Sequence, residues 1–580
     1  MGSAVRRLVV ALSLSCWASG ILAQDADLVL HHGKIVTVDA GFRVVEAMAV
    51  QGDRILAVGT SEEILRQAGP KTRRVDLAGK TVLPGLIDSH THPISAALFE
   101  FDHAVPEMET VADVLAYVKS RAAALGEGKW VFISQVFITR LRERRFPTRD
   151  ELDQAAPRNP VVFRTGPDAS LNSLALKLSG IDKDFRITDG GTGTVERDPK
   201  SGEPTGILRN CSRFIKYVPS AKSPTAEDRY RRMTQLLAAY NGVGITSFCD
   251  REAGESSIEL YRRLKDRGDL TCRVFLTYLV DAQAPWEEIE AGILRAARHP
   301  LHAYDNRLWV RGVKFYLDGG MLTGSAYMKE PWGVSKIYSI TDPQYRGILF
   351  VPPERLFRIV RTALANDLQP TAHTVGDGAV EALVAAYERV AQEFPVRDKR
   401  LCISHSNFMS PEAIEKMQRL GIVADLQPVW LYLDGATLTA HFGDRRLAYF
   451  QPYKTLFERG ATVGGGSDHM QKIEPERSIN RYSPLLGIWT TLARQPRWTD
   501  KPLHPEQRIT RQQAIRLYTI NNAYLTFEEK QKGSLEPGKL ADFIVLDKDI
   551  LACPLDEIKD IAVQATYLGG KAVFERGEYR

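Results

Sequence analysis

Between residues 85 and 525 short apolar runs alternate with segments whose apolar residues recur at helical spacing, and few architectures accommodate that rhythm. After Val82, Leu83, Leu86 and Ile87, which read as one short buried strand broken at Pro84-Gly85, come runs at 244–250, 273–276, 310–315, 369–373, 400–405, 422–425 and 461–464. Segments between them, such as 353–366 and 376–393, carry helical patterning. Alternation of this kind means parallel strands joined by crossover helices, and the count fits an α/β fold of the (β/α)8 TIM-barrel type over 85–525. In such a barrel the chemistry gathers at the C-terminal ends of the strands.

The flanks follow a different rhythm. Residues 24–84 alternate apolar and polar positions in short runs separated by Gly33, Gly41, Gly52-Asp53 and Gly59, and residues 526–580 repeat the pattern in 541–546, 563–567 and 571–574. The two ends are expected to pair into one composite β-sandwich beside the barrel. A turn-rich stretch from about 97 to 222 contains no clear barrel unit and reads as a large insertion after the first barrel strand, covering the mouth and setting substrate choice.

Residues 1–23 read as a signal peptide: Arg6-Arg7, an apolar Leu8 to Leu14, and Ile21-Leu22-Ala23 ending in a small residue. The expected location is secreted or periplasmic, with no integral membrane span after processing, because the apolar run is too short to cross a bilayer. Losing Arg6 and Arg7 lowers the formal charge from +5 to +3, and the remaining charges are intermixed, so no nucleic-acid partner is implied. Cys211, Cys249, Cys272, Cys402 and Cys553 are scattered and odd in number, which argues against a disulfide scaffold or a cysteine metal site.

The first barrel strand ends in His90-Thr-His92. Residues two apart on a strand share a side, so the two imidazoles point together, as the first ligands of zinc or a similar divalent cation do. A His-x-His pair alone is a weak signal, but later strands end in Lys314, His373, His405 and Asp468. Neutral imidazoles hold a cation without cancelling its charge, leaving it able to acidify a bound water toward pKa ~7. Asp468 is expected to serve both as ligand and as the base that receives the water's proton. Lys314 has three readings: it points away, it pairs with Asp318 or another acid, or it is carbamylated by carbon dioxide and bridges two metals. Of the remaining histidines, His469 is the one expected to face substrate; Asp318 and Asn172 complete the expected substrate contacts, and Asp468, Lys314 and His405 the catalytic set. Gly190-Gly191-x-Gly193 precedes no helical run, and Ser467 lacks a Gly-x-Ser-x-Gly setting, so neither a nucleotide cradle nor a serine hydrolase is implied.

With these residues in view the chain resembles the amidohydrolase superfamily, in its Amidohydro_3 branch of YtcJ-like proteins and N-substituted formamide deformylases. The motifs are Leu83-Pro-Gly-Leu-Ile-Asp-Ser-His-Thr-His92, Gly202-Glu-Pro-Thr-Gly-Ile-Leu208, Val313-Lys-Phe-Tyr-Leu-Asp-Gly319, Ala372-His-Thr-Val-Gly-Asp377, Ile403-Ser-His405, Gly466-Ser-Asp468 and Gly533-Ser-Leu-Glu-Pro-Gly-Lys-Leu-Ala-Asp542. The resemblance implies a metal-bearing barrel with a composite sandwich, with His90, His92, His373, His405 and Asp468 as ligands and Lys314 as the carbamylated bridge. It departs at Pro167, where a histidine is expected ahead of Asn172-Ser-Leu-Ala-Leu176.

The expected activity is metal-dependent hydrolysis of an amide-type C–N bond in a small molecule by a metal-activated water, with one or two Zn2+ per chain. Its rivals are an esterase, lactonase or phosphoester hydrolase on the same barrel, and a catalytically silent periplasmic ligand-binding protein. A homo-oligomer is left open.

Overall fold

The computed structural model describes residues 25–577 except 135, 167 and 221, so the expectations placed on 1–23 and on Pro167 lie outside the described residues. Eight strands form one all-parallel sheet: β1 (Leu86–Thr91), β2 (Ile245–Ala253), β3 (Arg273–Leu279), β4 (Leu308–Tyr316), β5 (Gln369–Thr374), β6 (Cys402–His405), β7 (Val423–Leu426) and β8 (Thr462–Gly465), hydrogen-bonded in that order. The sheet curls until β8 meets β1 just past the strand ends. There Asp468 N–H donates to the His90 carbonyl (2.8 Å), His92 N–H donates to the His469 carbonyl (2.7 Å), and Thr91 bridges His469 in parallel. The expected (β/α)8 barrel is therefore present, and its closing contacts run through the histidine pair itself.

Its helices form as the patterning dictates. Pro353–Ala365 opens with proline at its first turn, where a missing N–H costs nothing, and buries Leu356, Ile359, Val360 and Ala363 against the sheet. Asp377–Val390 does the same with Val380, Leu383, Val384 and Tyr387.

The stretch read as one broken strand is two strands in two sheets: Thr81–Pro84 belongs to the sandwich and Leu86–Thr91 is β1. Gly85 makes the transfer possible, because a Cβ there would fall 2.2 Å from Thr246 Oγ1 of the adjacent strand. The sandwich is composite as expected. Phe543–Leu546 pairs antiparallel with Thr81–Pro84, Ile544 facing Leu83. The resulting six-stranded sheet packs Val82, Phe543, Val545 and Tyr567 against Leu28, Leu30, Met48 and Val50 of a four-stranded sheet from 26–76. Arg273, first residue of β3, donates two bonds to buried Asp542 (2.6 and 2.9 Å) and fastens barrel to sandwich.

Two features go beyond the sequence reading. Within the insertion, the strands Val131–Ser134, Val161–Thr165, Asp168–Leu171, Pro204–Arg209 and Thr194–Arg197 form a sheet of their own. A second long excursion, 317–352 after β4, joins it over the barrel mouth: Ser325 Oγ donates to Asp168 (2.6 Å) and Arg209 donates to the Thr323 carbonyl (2.8 Å). All five cysteines in the described residues are free thiols, and no described helix is long and apolar enough to cross a membrane.

Candidate metal centre

His90, His92, Lys314, His373, His405 and Asp468 converge at the C-terminal ends of β1, β4, β5, β6 and β8. The ligand atoms of His90, His92 and Asp468 lie within 4.8 Å of one another. Asp468 Oδ1 stands 3.1 Å from His92 Nε2 and 3.5 Å from His90 Nε2. The His405 ring lies 4.5 Å, centroid to centroid, from both His90 and His373. Asp468 (φ 56°) and His405 (φ 71°) hold left-handed backbone conformations that cost a non-glycine residue energy, a form of strain that collects at functional sites.

The outward nitrogens of three histidines face partners absent from the sequence reading. His90 Nδ1–H donates to Asp425 Oδ2 (2.9 Å), and Asp425 in turn accepts from Ser89 (2.6 Å) and Ser404 (3.1 Å) and pairs with Arg251 (3.2 Å). His405 Nδ1–H donates to Gln427 Oε1 (2.7 Å), and its ring stacks on Trp430 at 5.0 Å. His92 Nδ1 sits 3.1 Å from Glu252 Oε2, whose other oxygen accepts from the Tyr316 hydroxyl at 2.5 Å. Each of these histidines thus turns its remaining nitrogen to the centre, in the tautomer a ligand needs. Asp425 ends β7 as the other ligands end their strands, and Glu252 follows the quoted run of β2 by two residues, so both carried a readable positional signal.

The electrostatics favour a cation. Burial and the nearby Lys314 charge hold His90 and His405 well below the usual imidazole range and His373 down to about 3, which keeps these rings neutral. His92 is the exception: burial works against its charge, but Glu252 and Asp468 push it up to about 10, so the space between the two carboxylates draws positive charge. Burial lowers Lys314 to about 8. Two buried nitrogens lack a hydrogen-bond partner, the lone-pair nitrogen His90 Nε2 and the amine Lys314 Nζ. Buried polar atoms are seldom left so, and a set of neutral imidazoles, a carboxylate and two orphaned nitrogens fits a divalent cation.

Above the centre lies a cavity of about 730 Å³. His92, Glu252, Tyr316 and Asp468 form its polar floor, and Phe137, Phe350, Trp430, Met321 and Met470 its apolar walls. Three residues expected to touch substrate have other work. His469 is fully buried, its Nε2–H donating to the Gln471 and Lys472 carbonyls (2.9 and 2.8 Å) and its Nδ1 accepting from Tyr240 (2.8 Å). Asn172 caps the helix Ser173–Ser179, its Oδ1 accepting from Ala175 N–H (3.0 Å), and is likewise buried. Asp318 does border the cavity, but its carboxylate accepts from the N–H groups of Val375, Gly376 and Tyr327, each at 2.9 Å, and holds loops together instead of facing a ligand. It does not pair with Lys314, whose ammonium lies 4.8 Å from the Tyr316 ring.

Residues 73–574 match the model of the amidohydrolase family. Among similar proteins, N-substituted formamide deformylase of Arthrobacter pascens is 29% identical over 572 residues, covering 96% of this chain and 99% of that one. An uncharacterized metal-dependent hydrolase from Pyrococcus furiosus superposes with a TM-score of 0.63 at 22% identity, covering 90% and 100% of the two chains. A variant of atrazine chlorohydrolase TrzN from Arthrobacter aurescens, complexed with zinc and atraton, does so with a TM-score of 0.51 at 15% identity, covering 94% and 95%.

Proposed function

The chain belongs to the amidohydrolase family and is a hydrolase of carbon–nitrogen bonds other than peptide bonds, and from that premise we propose that it cleaves the amide or formamide bond of a small N-substituted substrate with zinc as its cation. The observation that carries this reading is the meeting of His90, His92, His373, His405 and Asp468 at one end of the barrel, with His90 Nε2 and Lys314 Nζ buried and unpartnered beneath the cavity. The deformylase likeness points to the bond, and the zinc-complexed atrazine chlorohydrolase structure to the cation.

When bound, a divalent cation supplies an acidified water and polarises the substrate carbonyl. The protein's own groups do the rest. Asp468 takes the proton of the attacking water on its carboxylate and returns it to the leaving nitrogen. Asn480 Nδ2–H donates to Asp468 Oδ2 (3.2 Å) and to its backbone carbonyl (2.6 Å), which leaves Oδ1 turned toward the histidines. Tyr316 lines the cavity floor and donates its hydroxyl to Glu252, holding that carboxylate beside His92. The apolar walls exclude water and accept the substituent on nitrogen. Lys314, buried with an unpartnered Nζ, would, as the carbamate formed from its neutral amine and carbon dioxide with loss of one proton to solvent, offer oxygen ligands for a second cation. Export through residues 1–23 brings the enzyme to substrates outside the cytoplasm.

The test pairs elemental analysis with a substrate panel. Protein expressed with bicarbonate should contain two equivalents of zinc and hydrolyse N-benzylformamide and related amides faster than matched esters. His90→Ala should lose both metal and activity. An H90A protein that hydrolysed amides at the wild-type rate without metal, or a zinc-loaded wild type that cleaved esters alone, would overturn the reading.

A further inference from the structure

The insertion carries a second cavity, of about 350 Å³, that the catalytic reading leaves without a role. None of the metal-centre residues lines it, but Phe99 and Ser134 border both cavities and so form a shared wall. Part of the second cavity's lining is aromatic. Tyr217 packs edge-on against Trp130 (5.8 Å between centroids) and tilted against Phe132 (4.8 Å), with Phe101 and Tyr117 completing the lining. Another part is cationic: Arg121, Lys222 and Arg229 line the cavity with a single acid, Asp102.

The acid is already committed. Asp102 accepts from Arg121 (3.1 Å), from His103 Nδ1–H (3.0 Å) and from the Lys222 backbone N–H (3.1 Å), while His103 Nε2 meets the Tyr117 hydroxyl at 2.7 Å. The Lys222 ammonium and the exposed Arg229 guanidinium have no acidic partner among the described residues. The lining is thus two positive charges in excess, together with a cluster of aromatic rings. The volume falls at the small end of the range for ligand pockets, enough for one ring with a short chain. Rings select a ring by stacking, and unpaired ammonium and guanidinium groups select a carboxylate.

We propose that this cavity is a binding site for a small arylalkyl carboxylate, separate from the metal centre and independent of its chemistry. The test is calorimetric titration of the full-length, metal-loaded enzyme with phenylacetate, repeated after chelation, with 2-phenylethanol and acetate as neutral and ringless comparators. Phenylacetate should bind one per chain with a dissociation constant of about 1 mM or tighter. Both comparators should bind at least about tenfold more weakly, and chelation should change nothing. The double variant Lys222→Gln/Arg229→Gln, at exposed positions where folding is not at stake, should weaken phenylacetate by about tenfold, and Trp130→Leu should abolish binding while Trp430→Leu, in the metal cavity, leaves it intact. Absence of saturable binding, loss of binding on chelation or in Trp430→Leu, or indifference to the double charge variant would each overturn the proposal.

Discussion

Asp425→Asn separates what a buried carboxylate does for the metal centre from what it does for the fold. Asp425 has no solvent exposure and holds both His90 Nδ1–H (2.9 Å) and the Arg251 guanidinium (3.2 Å), itself fully buried and otherwise bonded through Nε to the Ser89 carbonyl (2.9 Å). Neutralising the acid strands the Arg251 charge, and breaking a buried pair in this way costs about 3–5 kcal/mol. It also replaces the charged, acceptor-only group that fixes the His90 ring with a neutral amide able to present N–H to it, and loss of such a carboxylate behind a ligating histidine weakens metal binding about 10–100-fold, or ~1.4–2.8 kcal/mol. The two effects have different remedies. Adding Arg251→Met should restore most of the stability of the metal-free protein, read by urea unfolding, because no charge is then stranded. It should not restore zinc affinity, read by chelator competition, because His90 still lacks its carboxylate. An Asp425→Asn protein that bound zinc as tightly as wild type would refute the orienting role, and a double variant no more stable than the single one would refute the stranded charge.

Two further outcomes follow from side chains outside the metal centre. His469→Leu removes the partner of the Tyr240 hydroxyl and of two carbonyls, so it should cost at least about 2 kcal/mol in unfolding free energy and leave KM near the wild-type value; a raised KM with unchanged stability would return His469 to the substrate. His441, stacked on Trp332 at 5.7 Å, is held down to about 4 by burial and by Arg446. Its folded value lies below its unfolded one, so between about pH 6.5 and 4 the unfolded chain binds more protons and stability falls as the solution is acidified. Screening at this partly exposed ring limits the fall to about 1–2 kcal/mol, and His441→Phe should flatten that part of the stability profile.

The barrel was legible because its strands are short apolar runs at regular intervals and its helices bury one face. The composite sandwich was legible because the two flanks share a strand rhythm that neither could complete alone. The insertion sheet was not, since its strands are interrupted by turns and Val161–Thr165 meets one neighbour parallel and the other antiparallel, so pairing depends on contacts distant in sequence. The division at Gly85 was hidden for a different reason. Locally, 82–87 reads as one strand; what splits it is the close passage of Thr246, about 160 residues away.

In the centre, alternation along a strand carried only as far as the strands themselves. It pairs His90 with His92 because residues two apart share a side, but Asp468 and His469 lie beyond the end of β8, with Asp468 in a left-handed conformation, and His469 turns into the Tyr240 and Tyr482 packing at 5.6 and 4.2 Å. What takes His469 away from substrate is therefore that packing and the hydrogen bonds of its ring. Asn172 is similar: an asparagine opening Ser-Leu-Ala-Leu is a helix cap by its sequence alone, and the cap is what occupies its side chain. Asp425, Glu252 and Gln427 passed unnoticed because a carboxylate or amide beyond the ligands acts only through the ring it orients. Which ring that is depends on strand order around the closed barrel, since Asp425 on β7 reaches His90 on β1 across the barrel end, not through its sheet neighbours β6 and β8.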